Sequence, residues 1–237
     1  MLRVLLSVPV AVACTLALGL PSIFVGLVDH GGRFARRAAG AWGRILLAIW
    51  GVRVVVSGRE NVPDGPAVYA ANHGSALDIP ILFGHLPVDF RIIHKRSLYY
   101  IPVLGAYLWL GGHIGIDRDS AFGARRSLER AAERIRHGTS VAVFAEGTRS
   151  EDVSVRAFKR GSFFLASSAG VPVVPVSLAG VKRVVPRGIL RLQPGTVRLT
   201  IHPAVPTAGP DARDAAALAR EVRDVVARAC ALEDGAA

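Results

Sequence analysis

A histidine with a carboxylate five positions on, and a separate Glu-Gly-Thr-Arg turn, are the residues of this chain best suited to chemistry. The first set is Asn72-His73-Gly74-Ser75-Ala76-Leu77-Asp78. A carboxylate on one imidazole nitrogen fixes the tautomer, and the other nitrogen can then take a proton from a hydroxyl. The second set is Phe144-Ala145-Glu146-Gly147-Thr148-Arg149-Ser150. Gly147 lets the backbone approach a ligand closely, and Arg149 offers a planar fork matched to a phosphate. One motif activates an alcohol and the other holds a phosphate. Together they point to group transfer onto a phosphorylated alcohol.

Each motif also has a plainer reading. Asp78 alone is an ordinary helix-start carboxylate, and His73 alone an ordinary loop histidine. Gly with Arg and hydroxyls also builds common polar turns. Arg118, at a strand end, reads by itself as a surface ion pair, and Lys95-Arg96 as a solvated pair. Two distant cysteines, Cys14 and Cys230, make neither a disulfide framework nor a metal cluster. No Gly-x-Ser-x-Gly elbow favours a serine hydrolase.

The elements that must position these residues alternate between strand and helix, which predicts an α/β layer fold. Short apolar runs at Val52 to Val56, Ala67 to Ala71, Arg91 to His94, Ile114 to Ile116, Ser140 to Ala145, Val171 to Leu178 and Val197 to Ile201 read as strands. The two prolines in Val171-Pro172-Val173-Val174-Pro175-Val176 predict an edge strand or a bulge. Ser75 with Asp78 has capping-box spacing, so a helix is expected to open there and run toward Phe83. Ser120 to His137 reads as a helix capped by Ser120 and closed by Gly138, with Leu128, Ala131, Ala132 and Ile135 inward. Lys159 to Ala169 reads as a helix closed by Gly170. Asp211 to Leu232 reads as a terminal helix with Leu218, Val222, Val225, Ala229 and Leu232 on one side. The sheet is expected to be mixed and mostly parallel, with helices flanking it.

The N-terminus is of another character. Val4 to Val28 holds no charged residue. As a helix it would reach ~38 Å, against ~30 Å of bilayer hydrocarbon. Gly19-Leu20-Pro21-Ser22 also admits a kink or a re-entrant hairpin. A cleaved signal is disfavoured by the single Arg3 before the run and the lack of a small-x-small site after it. Gly40 to Trp50 reads as an amphipathic helix. Arg33, Arg36, Arg37 and Arg44 follow the run and place the rest of the chain on the cytoplasmic side of a cell membrane. Residues 1–50 are therefore an anchoring segment and residues 51–237 the catalytic domain.

The net charge of +11 suits anionic lipid or a phosphorylated substrate. Nucleic acid is disfavoured, because no helix-turn-helix, zinc-finger or RNA-binding pattern is present. Only Lys95, Lys159 and Lys182 are lysines, and arginine makes up the rest of the 29 basic residues.

In combination and order, these motifs resemble the lysophosphatidic acid acyltransferases, the bacterial-type 1-acyl-sn-glycerol-3-phosphate acyltransferases. The family's His-x-x-x-x-Asp block matches His73 to Asp78. Its lysine block with Ile-Pro-x-x-Gly matches Lys95, Leu98, Ile101, Pro102 and Gly105. Its Gly-to-Arg block ends at Arg118, its Phe-x-Glu-Gly-Thr-Arg-Ser block matches Phe144 to Ser150, and its Val-Pro-Val-x-Pro-Val block matches Val171 to Val176. Gly115 stands where an aromatic is usual, and Ala145 where proline is common.

The resemblance implies acyl transfer from acyl-CoA or an acyl carrier protein to the free hydroxyl of lysophosphatidic acid, giving phosphatidic acid. It implies His73 and Asp78 as catalytic residues. Lys95, Arg118, Glu146, Gly147, Thr148 and Arg149 are the implied substrate-binding set, with oxyanion donors near Gly74 or Gly147. No metal and no cofactor beyond the donor substrate are implied. A different lysolipid or glycerol-3-phosphate as acceptor, and a non-enzymatic lipid-binding protein of the membrane, are the alternatives.

Overall fold

The computed structural model describes residues 2–26, 33–117, 119–149, 154–186, 192–207 and 214–235. Its centre is a seven-stranded sheet. The strands are β1 (Val52–Ser57), β2 (Val68–Ala71), β3 (Phe90–Lys95), β4 (Ile114–Ile116), β5 (Ser140–Phe144), β6 (Val173–Ala179) and β7 (Gly195–Ile201). They lie in the order β1-β7-β6-β2-β5-β3-β4. Every neighbouring pair is parallel except β6 with β7. The sheet is thus mixed and mostly parallel, as the strand–helix alternation implies.

Parallel strands covered on both faces must be apolar on both faces. In β2, Val68 and Ala70 join one core while Tyr69 and Ala71 join the other. The first core is roofed by α5 (Ala121–Arg136), α6 (Arg160–Ala169) and α8 (Ala215–Gly235) through Ala131, Ile135, Phe163, Leu165, Leu218 and Val222. The second is roofed by α2 (Arg33–Ile49) and α3 (Asp78–His85) through Leu47, Ile81 and Leu82. Close approach of α2 and α3 depends on Gly43, where a Cβ would fall 2.4 Å from the Pro80 carbonyl oxygen.

Three expectations are corrected by the structure. β6 is an interior strand between β2 and β7, not an edge, and the pairing opposite it slips by one residue between Pro175–His202 and Val173–Val205. Its Pro175 falls just past the end of the β7 ladder: its carbonyl accepts from His202 N–H at 2.9 Å, and the proline gives no N–H in return, so that pair keeps one bond of two. The helix after the histidine opens at Asp78, not Ser75, although Asp78 still reaches back to Ser75 N–H at 2.9 Å. In α8 the inward stripe is Leu218, Ala219, Val222, Val226 and Cys230, while Leu232 is exposed. Steps of four residues keep that stripe on the core, and Leu232 falls off it. The expected start of this helix at Asp211 lies outside the described residues.

Capping matches the sequence closely elsewhere. Ser120 Oγ accepts from Gly123 N–H at 3.0 Å at the start of α5. Gly170, in the left-handed region at φ 70°, closes α6. At the N-terminus, α1 (Leu2–Gly26) passes through Pro9 and Pro21 without ending. Ser22 Oγ donates to the Leu18 carbonyl at 2.6 Å beside the second proline. α1 is long and apolar enough to cross a membrane: the window Val8–Val25 has mean hydropathy 2.1 and is 6% buried. It packs on α2 and on α4 (Leu104–Leu110). Trp42 Nε1 of α2 donates to Thr15 Oγ1 of α1 at 2.9 Å.

Candidate active site

Parallel topology explains why motifs far apart in sequence meet. β2 ends at Ala71 opposite Phe144, the last residue of β5, and β3 and β4 end side by side at Lys95 and Ile116. The loops leaving four parallel strands therefore open on one edge of the sheet, at the carboxyl ends, where α/β folds hold ligands. His73, Lys95 and Glu146 to Arg149 all stand on that edge. Arg118, two residues past β4, lies outside the described residues.

The histidine is held on three sides. Its backbone N–H donates to Glu146 Oε1 at 2.7 Å. Its ring lies flat on Phe144, with centroids 3.9 Å apart and planes 12° from parallel. Nδ1–H donates to Asp78 Oδ2 at 2.7 Å, the tautomer being assigned from the acceptor-only carboxylate facing it. Nε2 makes no hydrogen bond among the described residues and is the free lone pair. Just before it, Asn72 acts as an extra rung on β6. Its Nδ2 donates to the Leu178 carbonyl at 3.1 Å, and its Oδ1 accepts Leu178 N–H at 2.8 Å.

Asp78 is wholly buried. Its Oδ2 also accepts Gly74 N–H at 2.8 Å and Ser75 N–H at 2.9 Å, so one oxygen gathers three donors. Its Oδ1 has no hydrogen-bond partner. As the first residue of α3, Asp78 also lies at the end of the helix that favours negative charge.

Glu146 is buried and engaged at both oxygens: Oε1 by His73 N–H, Oε2 by Arg156 N–H at 3.1 Å. Its carboxylate ties the histidine loop to the chain after Ser154. Gly147 takes φ 76° and packs under a lysine, a Cβ there falling 2.8 Å from Lys159 Cδ. Thr148 and Arg149 are exposed, and Thr148 Oγ1 faces Arg156 Nη1 at 3.5 Å. Lys95 Nζ lies 3.5 Å from Asp119 Oδ1. The amides expected to serve an oxyanion are used internally: Gly74 N–H by Asp78 and Gly147 N–H by the Phe144 carbonyl at 3.0 Å.

Two features escaped the sequence reading. One is the pair of lysines at the glycines: Lys159 against Gly147, and Lys182, whose Cε lies 3.7 Å from where a Gly74 Cβ would stand. Their rarity beside the many arginines was the one available signal. The other is a cavity of about 600 Å³ that runs from His73 between α1, α2, β3 and α4. Leu16, Leu18, Ala39, Phe83, Ile93, Leu98 and Leu108 give it an apolar wall, and His73, Lys95, Gly147 and Arg149 stand at its polar end. The volume falls within the ~300–1,000 Å³ of ordinary ligand pockets.

Gly115, the unusual glycine, has a steric cause. A Cβ there would fall 2.4 Å from Tyr99 Cε2. Tyr99 OH donates to the His113 carbonyl at 2.8 Å and accepts Gly115 N–H at 3.1 Å. The aromatic ring is present, supplied from the preceding turn. Beneath it, His113 is buried, and its Nδ1 accepts Ile92 N–H at 3.0 Å. Burial first, then the charges of Arg91, His94 and Arg134, push its pKa down to about 3.

Residues 53–179 match the family model described as Acyltransferase. A 1-acyl-sn-glycerol-3-phosphate acyltransferase of Chlamydomonas reinhardtii is 41% identical over 157 residues, 65% of this chain and 47% of the algal protein. The beta form from Homo sapiens is 31% identical over 215 residues, covering 88% of this chain and 77% of the human protein. The crystal structure of the 1-acyl-sn-glycerophosphate acyltransferase PlsC from Thermotoga maritima superposes with a TM-score of 0.76 at 31% identity, over 91% of this chain and 89% of that one. This chain thus spans about half of the algal relative and most of the bacterial one.

Proposed function

Because this chain belongs to the lysophosphatidic acid acyltransferase family, we propose that it moves an acyl group from an acyl thioester to the free hydroxyl of lysophosphatidic acid, giving phosphatidic acid. The observation that carries this reading is the His73–Asp78 pair at 2.7 Å at the polar end of an apolar cavity. His73 Nε2 takes the hydroxyl proton as the oxygen attacks the thioester carbonyl. The C–S bond then breaks, and the thiolate leaves with the proton that His73 acquired. Asp78 fixes the tautomer and stabilises the imidazolium that forms. Phe144 keeps the ring in one plane, so no reorganisation is needed as the proton moves.

Arg149 and Lys95, at the polar end of the cavity, hold the acceptor phosphate, and the family motif alone adds Arg118 to that role. Glu146 acts through the backbone, as a brace. The donor is acyl-CoA or an acyl carrier protein, with no further cofactor. The apolar part of the cavity takes an acyl chain, and α1 holds the chain at the cytoplasmic face of the cell membrane.

The test is turnover of lysophosphatidic acid with each thioester donor by purified protein, read as thiol release and as phosphatidic acid formed. His73→Ala is expected to lower the rate by ~10²–10⁴-fold, the worth of a positioned general base, with lysolipid binding retained. A rate within threefold of wild type refutes the assignment.

A further inference from the structure

We infer that the turn and helix spanning residues 98–110 form a second membrane contact, seated at the headgroup level of a bilayer beside α1. The inference rests on the reading of α1 as membrane-held. It starts from exposure. Tyr100 and Trp109 are 79% and 70% exposed, and Ile101, Val103 and Leu104 between them are exposed too. Single exposed apolar residues are ordinary, but five within ten positions of one short element form a patch that water does not explain.

The position of the patch identifies its occupant. α4 packs directly on α1, whose apolar window is itself almost entirely uncovered by protein. The patch therefore continues a surface already suited to lipid. Its aromatic members are the two that carry a polar tip, the Tyr hydroxyl and the Trp N–H, as groups at a membrane–water boundary do.

The same element also borders the cavity. Leu98, Pro102, Val103, Leu104 and Leu108 line it, and Val103 and Leu104 are at once lining and exposed. They form an apolar rim, so a chain passing from bilayer to cavity at this point crosses no water. The rim is strained. Val103 holds φ 64° and ψ −56°, a tight turn closed by Leu104 N–H on the Pro102 carbonyl at 2.7 Å. A β-branched residue in that region is disfavoured, and such strain gathers where a ligand is admitted or held. A membrane against this patch accounts for the exposure and the rim together.

Tryptophan quenching tests it on the full-length protein. The protein is bound to vesicles of phosphatidylcholine and phosphatidylglycerol with or without acyl-chain bromination, and compared with Trp109→Phe. Flotation confirms binding in each sample. Trp109 is expected to account for at least a third of the brominated-lipid quenching, a share that Trp109→Phe loses. A Tyr100→Ser/Trp109→Ser variant is expected to lose at least fivefold of its turnover on vesicles while staying within twofold of wild type in detergent micelles.

Flotation without Trp109 quenching overturns the patch and leaves α1 as anchor. Failure to float overturns both. Protein-concentration-dependent shielding of Trp109 without lipid, with a dimer in sedimentation, assigns the patch to a second copy of the chain and overturns the membrane contact. Turnover in micelles reports on the acyltransferase reading independently of all three.

Discussion

Asp78→Asn isolates what the carboxylate does, because the substitution is nearly isosteric and the site leaves little room for adjustment. Oδ2 receives His73 Nδ1–H, Gly74 N–H and Ser75 N–H, all donors, while Oδ1 has no partner. An asparagine that keeps its oxygen at the Oδ2 position must bury its NH₂ where nothing accepts. An asparagine turned the other way points NH₂ at three donors. The first arrangement is the less costly. It leaves unsatisfied donors, worth ~1–3 kcal/mol, and replaces a charge-assisted bond to His73 with a neutral one, a further ~1.5–3 kcal/mol on the imidazolium.

Only the second cost falls mainly on the transition state, and ~1.5–3 kcal/mol is ~10–10²-fold in kcat/KM at ~1.4 kcal/mol per tenfold. The melting temperature is expected to fall by only ~2–12 °C, from the first cost at ~2–4 °C per kcal/mol for a chain of this size. The assay is thiol release with saturating donor and varied lysophosphatidic acid, beside a thermal melt. A variant that melts as wild type and keeps kcat/KM within threefold refutes the dyad. A large drop in melting temperature with activity intact would make Asp78 a loop-organising residue only.

Arg149→Ala is expected to raise the apparent KM for lysophosphatidic acid at least tenfold, from the loss of a charge-assisted pair of ~1.5–3 kcal/mol, with Arg149→Lys restoring part of it. Paired saturation curves check this: a rise in donor KM alone moves Arg149 to the donor site. His113 contributes to acid sensitivity, beside His85 and His202, which burial also pushes down. Its folded pKa of about 3 lies below the ordinary 6.5, so the unfolded chain binds the proton first, and stability is lost as pH falls from 6.5 toward 3. The loss is up to ~1.4 kcal/mol per pH unit, or ~3–6 °C in melting temperature, and His113→Asn is expected to remove it. Parallel slopes for the two proteins would place a proton on His113 in the folded state.

The strands and most helices were legible because their information is local. Alternation into two apolar faces, a serine cap and a left-handed glycine each act within a few residues. The meeting of His73, Lys95 and Arg149 was legible only indirectly, through parallel topology that brings the ends of β2, β3 and β5 to one edge. What stayed hidden was non-local. Pro175 reads as an edge or bulge signal, yet it sits in an interior strand, where the ladder with the neighbouring strand is ending and only its carbonyl is used. Glu146 reads as a brace of the arginine turn or as a substrate ligand, and only the fold reveals that its oxygens take backbone amides from two loops. The amides of Gly74 and Gly147 look available in sequence, and only the fold reveals the carboxylate and the carbonyl that occupy them.

The wall of the large cavity includes Thr15, Leu16, Leu18, Gly19 and Ser22, all from α1. On the proposed reading, the segment that holds the protein to its membrane is therefore also part of the wall against which an acyl chain lies. A boundary drawn near residue 50 divides the polypeptide but cuts through the cavity. Trimming α1 for solubility would leave the His73–Asp78 pair in place with one side of its pocket open to water. Grafting another protein's leading helix onto this sheet would change the depth and shape of that pocket along with the anchor. On that reading, attachment and selectivity are one heritable unit, and neither is exchanged without the other.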